Sequence, residues 1–264
     1  MEWNESDLED LETAAGLLES PGFIARVSGV VGMPIEYVLD RLPRVAGDRI
    51  TKTVQKSLRA AVTTATMTLG TQRRGRPWRR SHTAAAGLSG GVGGLFGLAA
   101  LPIELPITTT IILRSIADIA RSEGEDLTTP ETKMACLEVF AMGGPSQKDD
   151  AAESGYFAVR AALARAVSEA AKYVAGRTVV EDGAPVIVRL LAQIAARFNT
   201  VVGEKIVAQG VPVVGALGGA TINVLFIDHF QDMARGHFIV RRLERTYGED
   251  EVRTKYERLR SGGE

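Results

Sequence analysis

One cysteine in 264 residues, Cys136, leaves no partner for an internal disulfide and too few thiols for a multi-cysteine metal site. It sits in an apolar helical run, where a thiol is inert unless a base lies beside it, and no such base is legible. Net charge is equally scarce. Lys and Arg number 31 against 32 Asp and Glu, a formal −1 at pH 7, so nothing draws the chain as a whole to nucleic acid. Aromatic residues make up 6% of the chain, and the histidines are three: His82, His229 and His237. There is no Walker A loop, no G-x-G-x-x-G and no H-E-x-x-H, so a nucleotide enzyme is not supported. The period-2 alternation that a sheet requires is missing throughout. The acidic start, Met1-Glu-Trp-Asn-Glu-Ser6, has no basic n-region or apolar core. That argues against a secretory signal peptide and for the cytoplasm or the inner face of the cell membrane.

What is present is helical periodicity. Ser6-Asp-Leu-Glu9 has the form of a capping box, with Leu8, Leu11, Ala15 and Leu18 as the stripe behind it. A short helix is predicted over Ile35–Leu42, a longer one over Arg44–Leu69, and another led by Pro130 and ending at Gly143-Gly144. An alanine-rich helix follows over Asp149–Val174, then one from Ala184 to Ala208, one continuing to about Tyr247, and a charged surface helix over Glu249–Arg260. The pattern predicts one all-α domain of many helices over residues 1–264. It divides into N-terminal helices at 1–72, core helical units at 81–122 and 206–245, and a charged tail at 249–264.

Two stretches stand out. Ser81–Leu113 carries Glu104 as its only charge and runs into Arg114, Asp118 and Arg121. Ile206–Ile227 carries none and runs into Asp228, Asp232 and Arg235. An offset of 114 residues superposes Ile116-Ala-Asp-Ile-Ala-Arg121 on Phe230-Gln-Asp-Met-Ala-Arg235, a candidate internal pseudo-repeat. Positions i, i+4 and i+7 share a helix face, so each run presents a one-faced charged stripe. Packed together, the stripes would let Arg114 satisfy Asp228 or Asp232 and so hold the two units to each other.

Gly87/Gly91, Gly90/Gly94, Gly93/Gly97 and Gly215/Gly219 have the small-xxx-small spacing that permits close helix approach. Pro102-Ile-Glu104-Leu-Pro106 interrupts the first stretch and predicts a helical hairpin turning there, while Gln209, Pro212 and Asn223 interrupt the second. Arg73, Arg74, Arg76, Trp78, Arg79 and Arg80 precede the first stretch. Positive charge and a tryptophan beside an apolar segment suit contact with anionic lipid or a membrane partner.

Catalytic motifs are thin. Gly87-Leu-Ser89-Gly-Gly91 matches G-x-S-x-G, but no strand precedes it to build a nucleophile elbow. Asp228, His229, Asp232 and His237 could offer O and N ligands to a divalent ion, together with Glu104 or Glu138 from another helix. His229 projects about 100° from the aspartate face, however, so one helix cannot gather them.

Leu105–Arg121, Cys136-Leu-Glu-Val-Phe-Ala-Met-Gly-Gly144, Ser154-Gly-Tyr-Phe-Ala-Val-Arg160 and Phe226-Ile-Asp-His-Phe-Gln-Asp-Met-Ala-Arg-Gly-His-Phe238 resemble the EcsC protein family. The resemblance runs from about Leu42 to Tyr247 and implies a bacterial source and a link to membranes or to an ABC transport system. It supplies no catalytic residue and no cofactor. The expectation is a non-enzymatic protein that binds membrane lipid or a membrane protein, with no nucleic-acid partner, no metal and oligomerisation open. An adaptor for a transporter is one alternative. A hydrolase or metal enzyme using Glu104, Asp228, His229 and Asp232 is another.

Overall fold

The computed structural model describes residues 3–31, 44–69, 101–143, 155–177, 180–181, 183–210 and 218–260. Among them are nine helices and no strand. These are α1 (Glu5–Leu18), α2 (Phe23–Val31), α3 (Arg44–Thr68), α4 (Leu101–Ser122) and α5 (Pro130–Met142), followed by α6 (Gly155–Val174), α7 (Pro185–Gly210), α8 (Gly218–Tyr247) and α9 (Glu249–Arg260). The all-α expectation holds. The helix predicted at 35–42, the arginine cluster at 73–80, the glycines at 87–97 and the G-x-S-x-G match lie outside the described residues.

The thirty-residue α8 is the spine, touching α1, α2, α4, α5, α7 and α9. It runs parallel to α4. Gln231 donates to Ser115 at 2.8 Å and Arg241 to Glu125 at 2.8 Å, each pair 116 residues apart in the chain. α4 and α8 therefore lie side by side. α1 crosses α8 in the opposite sense, with Asp7 and Asp10 on Arg242 at one end and Leu18 against Gly236 further along. α5 is buried on nearly every side, Thr132 and Met134 through Met142 all being inaccessible, as a helix enclosed by five neighbours must be. Pro130 occupies its first turn and the Thr129 side chain caps it.

Four local expectations are corrected. The N-cap of α1 is Asn4, whose Oδ1 accepts from the Asp7 amide at 2.7 Å, and Ser6 lies inside the helix. Pro102–Pro106 is no hairpin turn. α4 begins at Leu101 and continues through Pro106 to Ser122: Pro102 falls in the first turn, where an N–H has no intrahelical acceptor to lose, and Pro106, inside the helix, gives up a single bond. The expected Arg114–Asp232 pair does not form. Asp232 meets Arg26 of α2 at 2.7 Å, Asp118 meets Arg121 one turn on, and Arg114 and Arg235 are exposed. The α4–α8 seam is closed instead by apolar side chains and by the Gln231–Ser115 bond. The charged tail is also anchored more firmly than a surface helix. Val252 and Tyr256 of α9 are fully buried, and Tyr256 donates to Glu19 at 3.0 Å.

Candidate functional site

The residues proposed from sequence as one polar cluster are committed to separate partners. Glu104 Oε1 is bound by the Lys205 ammonium at 2.7 Å and by the Thr108 hydroxyl at 2.6 Å. His229 donates from Nε2 to the Gly143 carbonyl at 2.7 Å, and burial drives its pKa down to about 4, so it is neutral. Asp232 belongs to Arg26. Among the described residues no three His, Cys, Asp or Glu side chains converge as a metal site. Cys136 is buried on α5, and burial pushes its thiol up to about 12, which makes it inert.

The polar centre that the fold does assemble lies elsewhere, where α5, α6, the end of α8 and the start of α9 meet around a cavity of about 470 Å³. Its wall is built on α6. Arg160 forks onto Glu244 of α8 at 2.6 and 3.0 Å and also reaches the Tyr156 hydroxyl at 3.3 Å. Since that arginine can only donate, the Tyr156 hydrogen is left to His237 Nδ1, 3.0 Å away. Burial, with Arg160 and Arg241 nearby, holds the His237 pKa well below the usual value, so the imidazole is neutral. Arg241 and Arg245 close the other flank on Glu125, which also accepts from the Thr132 hydroxyl at 2.8 Å.

The His237 Nε2 is left buried without a partner among the described residues, and Glu138 stands apart from the network as well. It is 6% exposed, lines the cavity, and has no hydrogen-bond or ion-pair partner among the described residues. Burial pushes its pKa up to about 7, outweighing the pull of the Arg160 and Arg241 guanidinium groups. Around it Ala135, Phe157, Ala161, Ala164, Val167 and Ala171 give the cavity small apolar walls. Sequence reasoning placed Glu138 only as an auxiliary metal ligand. The available signal was an acid in the middle of the uncharged run Met134–Met142, where burial on every side makes a carboxylate expensive.

The fold and this site define a helical protein with a buried polar centre between core helices, and no assembled nucleophile or metal cluster among the described residues. The chain belongs to the EcsC protein family, whose profile matches residues 18–243. Neither a curated protein nor a solved structure matches it. Three of the segments that carry the family resemblance, at 136–144, 154–160 and 226–238, supply Glu138, Tyr156, Arg160 and His237 to this one centre.

Proposed function

We propose that the protein is non-enzymatic and works at a membrane surface, meeting anionic lipid through the start of α4 and the residues preceding it. The observation that carries this reading is an inversion at that helix start. Ile103 and Ile107, one turn apart on the same face, are 73% and 48% exposed, while Glu104 and Thr108 beside them are turned inward to the Lys205 ammonium. A soluble surface normally places charge outward and isoleucine inward; lipid accepts the reverse. The arginines at 73, 74, 76, 79 and 80 with Trp78, upstream in the chain, supply the charge that anionic headgroups attract, at about 1 kcal/mol each near the surface. Among the described residues α7 alone is long and apolar enough to cross a membrane, over Pro185–Gln209. Half of it is buried, and it packs on α2, α3, α5, α6 and α8, so here it serves as a core helix.

Flotation of the purified chain with phosphatidylglycerol-containing and pure phosphatidylcholine vesicles tests the proposal. Binding to the anionic vesicles is expected, lost in an Ile103→Asp/Ile107→Asp variant and weakened when the five arginines become alanine. Equal flotation of all three proteins, or none, rejects it. Flotation that requires a membrane protein in the vesicle would favour an adaptor for a transporter.

A further inference from the structure

We propose that the cavity between α5, α6, α8 and α9 is a binding site for a small organic cation, an amine with an apolar body, whose ammonium pairs with Glu138. The first observation is the space itself. At about 470 Å³ it lies within the range of small-molecule pockets, and it exists because α6 presents alanines where larger side chains would fill it. Ala161 and Ala164 are exposed along one wall, with Ala135 and Ala171 deeper and the Phe157 ring beside them.

The second observation is the state of the charges. The arginines of the wall already have carboxylates: Arg160 with Glu244, Arg241 with Glu125, and Arg253 with Glu257. Nothing comparable meets Glu138, and the rim adds Glu131, Glu249 and Asp250 against a single lysine, Lys172. The Glu138 oxygens open onto the cavity and meet no donor of the described residues there, and a glutamine at this position would avoid the charge at the same size. The arrangement makes sense when a donor from outside completes it. An anion is refused, because its counter-charges are taken. A divalent metal is also refused, because it would need several oxygen ligands converging and Glu138 is alone. An ammonium supplies up to three donors and one positive charge, and the apolar walls then select a ligand with a hydrocarbon body.

This site is independent of the proposed membrane face. α4 has Glu104 at its start, and Glu125, the partner of Arg241, just past its end; at 1.5 Å per residue the two lie about 30 Å apart. The probe is 2-phenylethylamine, titrated into the full chain by calorimetry, with 2-phenylethanol as its uncharged counterpart. Saturable one-to-one binding of the amine is expected. Affinity should fall about tenfold or more in Glu138→Gln and in the alcohol, as loss of a charge-assisted contact requires. Ala164→Trp, at an exposed position that leaves the core untouched, should block binding by filling the groove. Ile103→Asp/Ile107→Asp should bind the amine like the parent, which separates this test from vesicle binding. Absence of saturable amine binding to the parent chain overturns the proposal, as does equal affinity in the parent and Glu138→Gln proteins.

Discussion

Lys205 Nζ lies 2.7 Å from Glu104 Oε1, and both side chains are buried, the lysine completely. Glu104 is the sole charge of the first uncharged stretch, and Lys205 is the residue immediately before the second. An ion pair therefore ties the interior of the first stretch to the threshold of the second. The Phe226 ring, 4.6 Å from the ammonium, adds a cation–π contact, and the Thr108 hydroxyl takes a further position on the carboxylate. Burial lowers the Lys205 pKa while Glu104 holds the proton on. Such a pair is asymmetric in its energetics. Removing one partner strands the other, whereas replacing both with apolar groups is often nearly neutral. Lys205→Met should therefore destabilise the fold by ~3–5 kcal/mol, and Lys205→Met combined with Glu104→Leu should recover most of that loss. Urea unfolding of the two single variants and the double variant measures this coupling. Additive losses would mean that the charges do not act as a pair.

The dependence of stability on pH has two opposed sources. His229 has a folded pKa of about 4 against 6.5 in the free side chain, and His237 is also lowered, so both contribute stability above pH 6.5 that is lost as pH falls. Glu138 acts the other way. Its folded pKa of about 7 lies above the 4.5 of a free glutamate, so its contribution is full below pH 4.5 and is lost as pH rises through 7. Each shift of this size corresponds to about 3 kcal/mol. Glu138→Gln removes the opposing contribution. It should raise stability above pH 7 and steepen the fall in stability between pH 6.5 and 4. Thermal melts at intervals across pH 4 to 8 compare the variant with the parent, and parallel curves would show that Glu138 does not titrate in this range.

Gly236 stands where α1 packs tightly on α8. A Cβ there would stand 2.6 Å from Leu18 Cγ and 3.1 Å from the Ala14 carbonyl, and backbone cannot yield as a side-chain tip can. In an isolated helix alanine would be favoured over glycine by about 1 kcal/mol; here overpacking, worth ~1–3 kcal/mol, should win. Gly236→Ala is expected to lower Tm. Pairing it with Leu18→Ala should remove the side-chain clash and leave the carbonyl contact, giving partial recovery in the same melt.

Much of the fold is legible in the residues. Pro130 and Gly143 bracket α5, and the alanine-rich run becomes α6. The polar contacts are less legible, because periodicity gives a side chain's face but not its partner. In sequence Arg114 is the cation expected for Asp232; in the fold the path of α2 brings Arg26 to it instead. The same holds for Glu138, Tyr156, Arg160 and His237, which lie on three helices and become a centre only when α5, α6 and α8 meet. Proline placement misled in a different way. Two prolines four residues apart suggest a turn, yet near a helix start they remove few hydrogen bonds, and α4 passes through them.

The Arg160 fork gives a last prediction, which isolates geometry from charge. Arg160 binds both oxygens of Glu244 and also reaches Tyr156, so three donors in one plane organise α6 against α8. Lysine keeps the positive charge but cannot span the two oxygens and the hydroxyl together. Arg160→Lys should therefore destabilise by ~1–3 kcal/mol, and Arg160→Met by more, because Glu244, 8% exposed at its side chain, then keeps a buried charge. Tyr156→Phe removes the hydroxyl from His237 Nδ1 without touching the fork, and should cost ~1–3 kcal/mol. If the fork and the hydroxyl act as one network, Arg160→Lys and Tyr156→Phe together will cost less than the sum of the two. A double-mutant cycle in urea reads that coupling, and strict additivity would show that Tyr156 and Arg160 hold α8 independently.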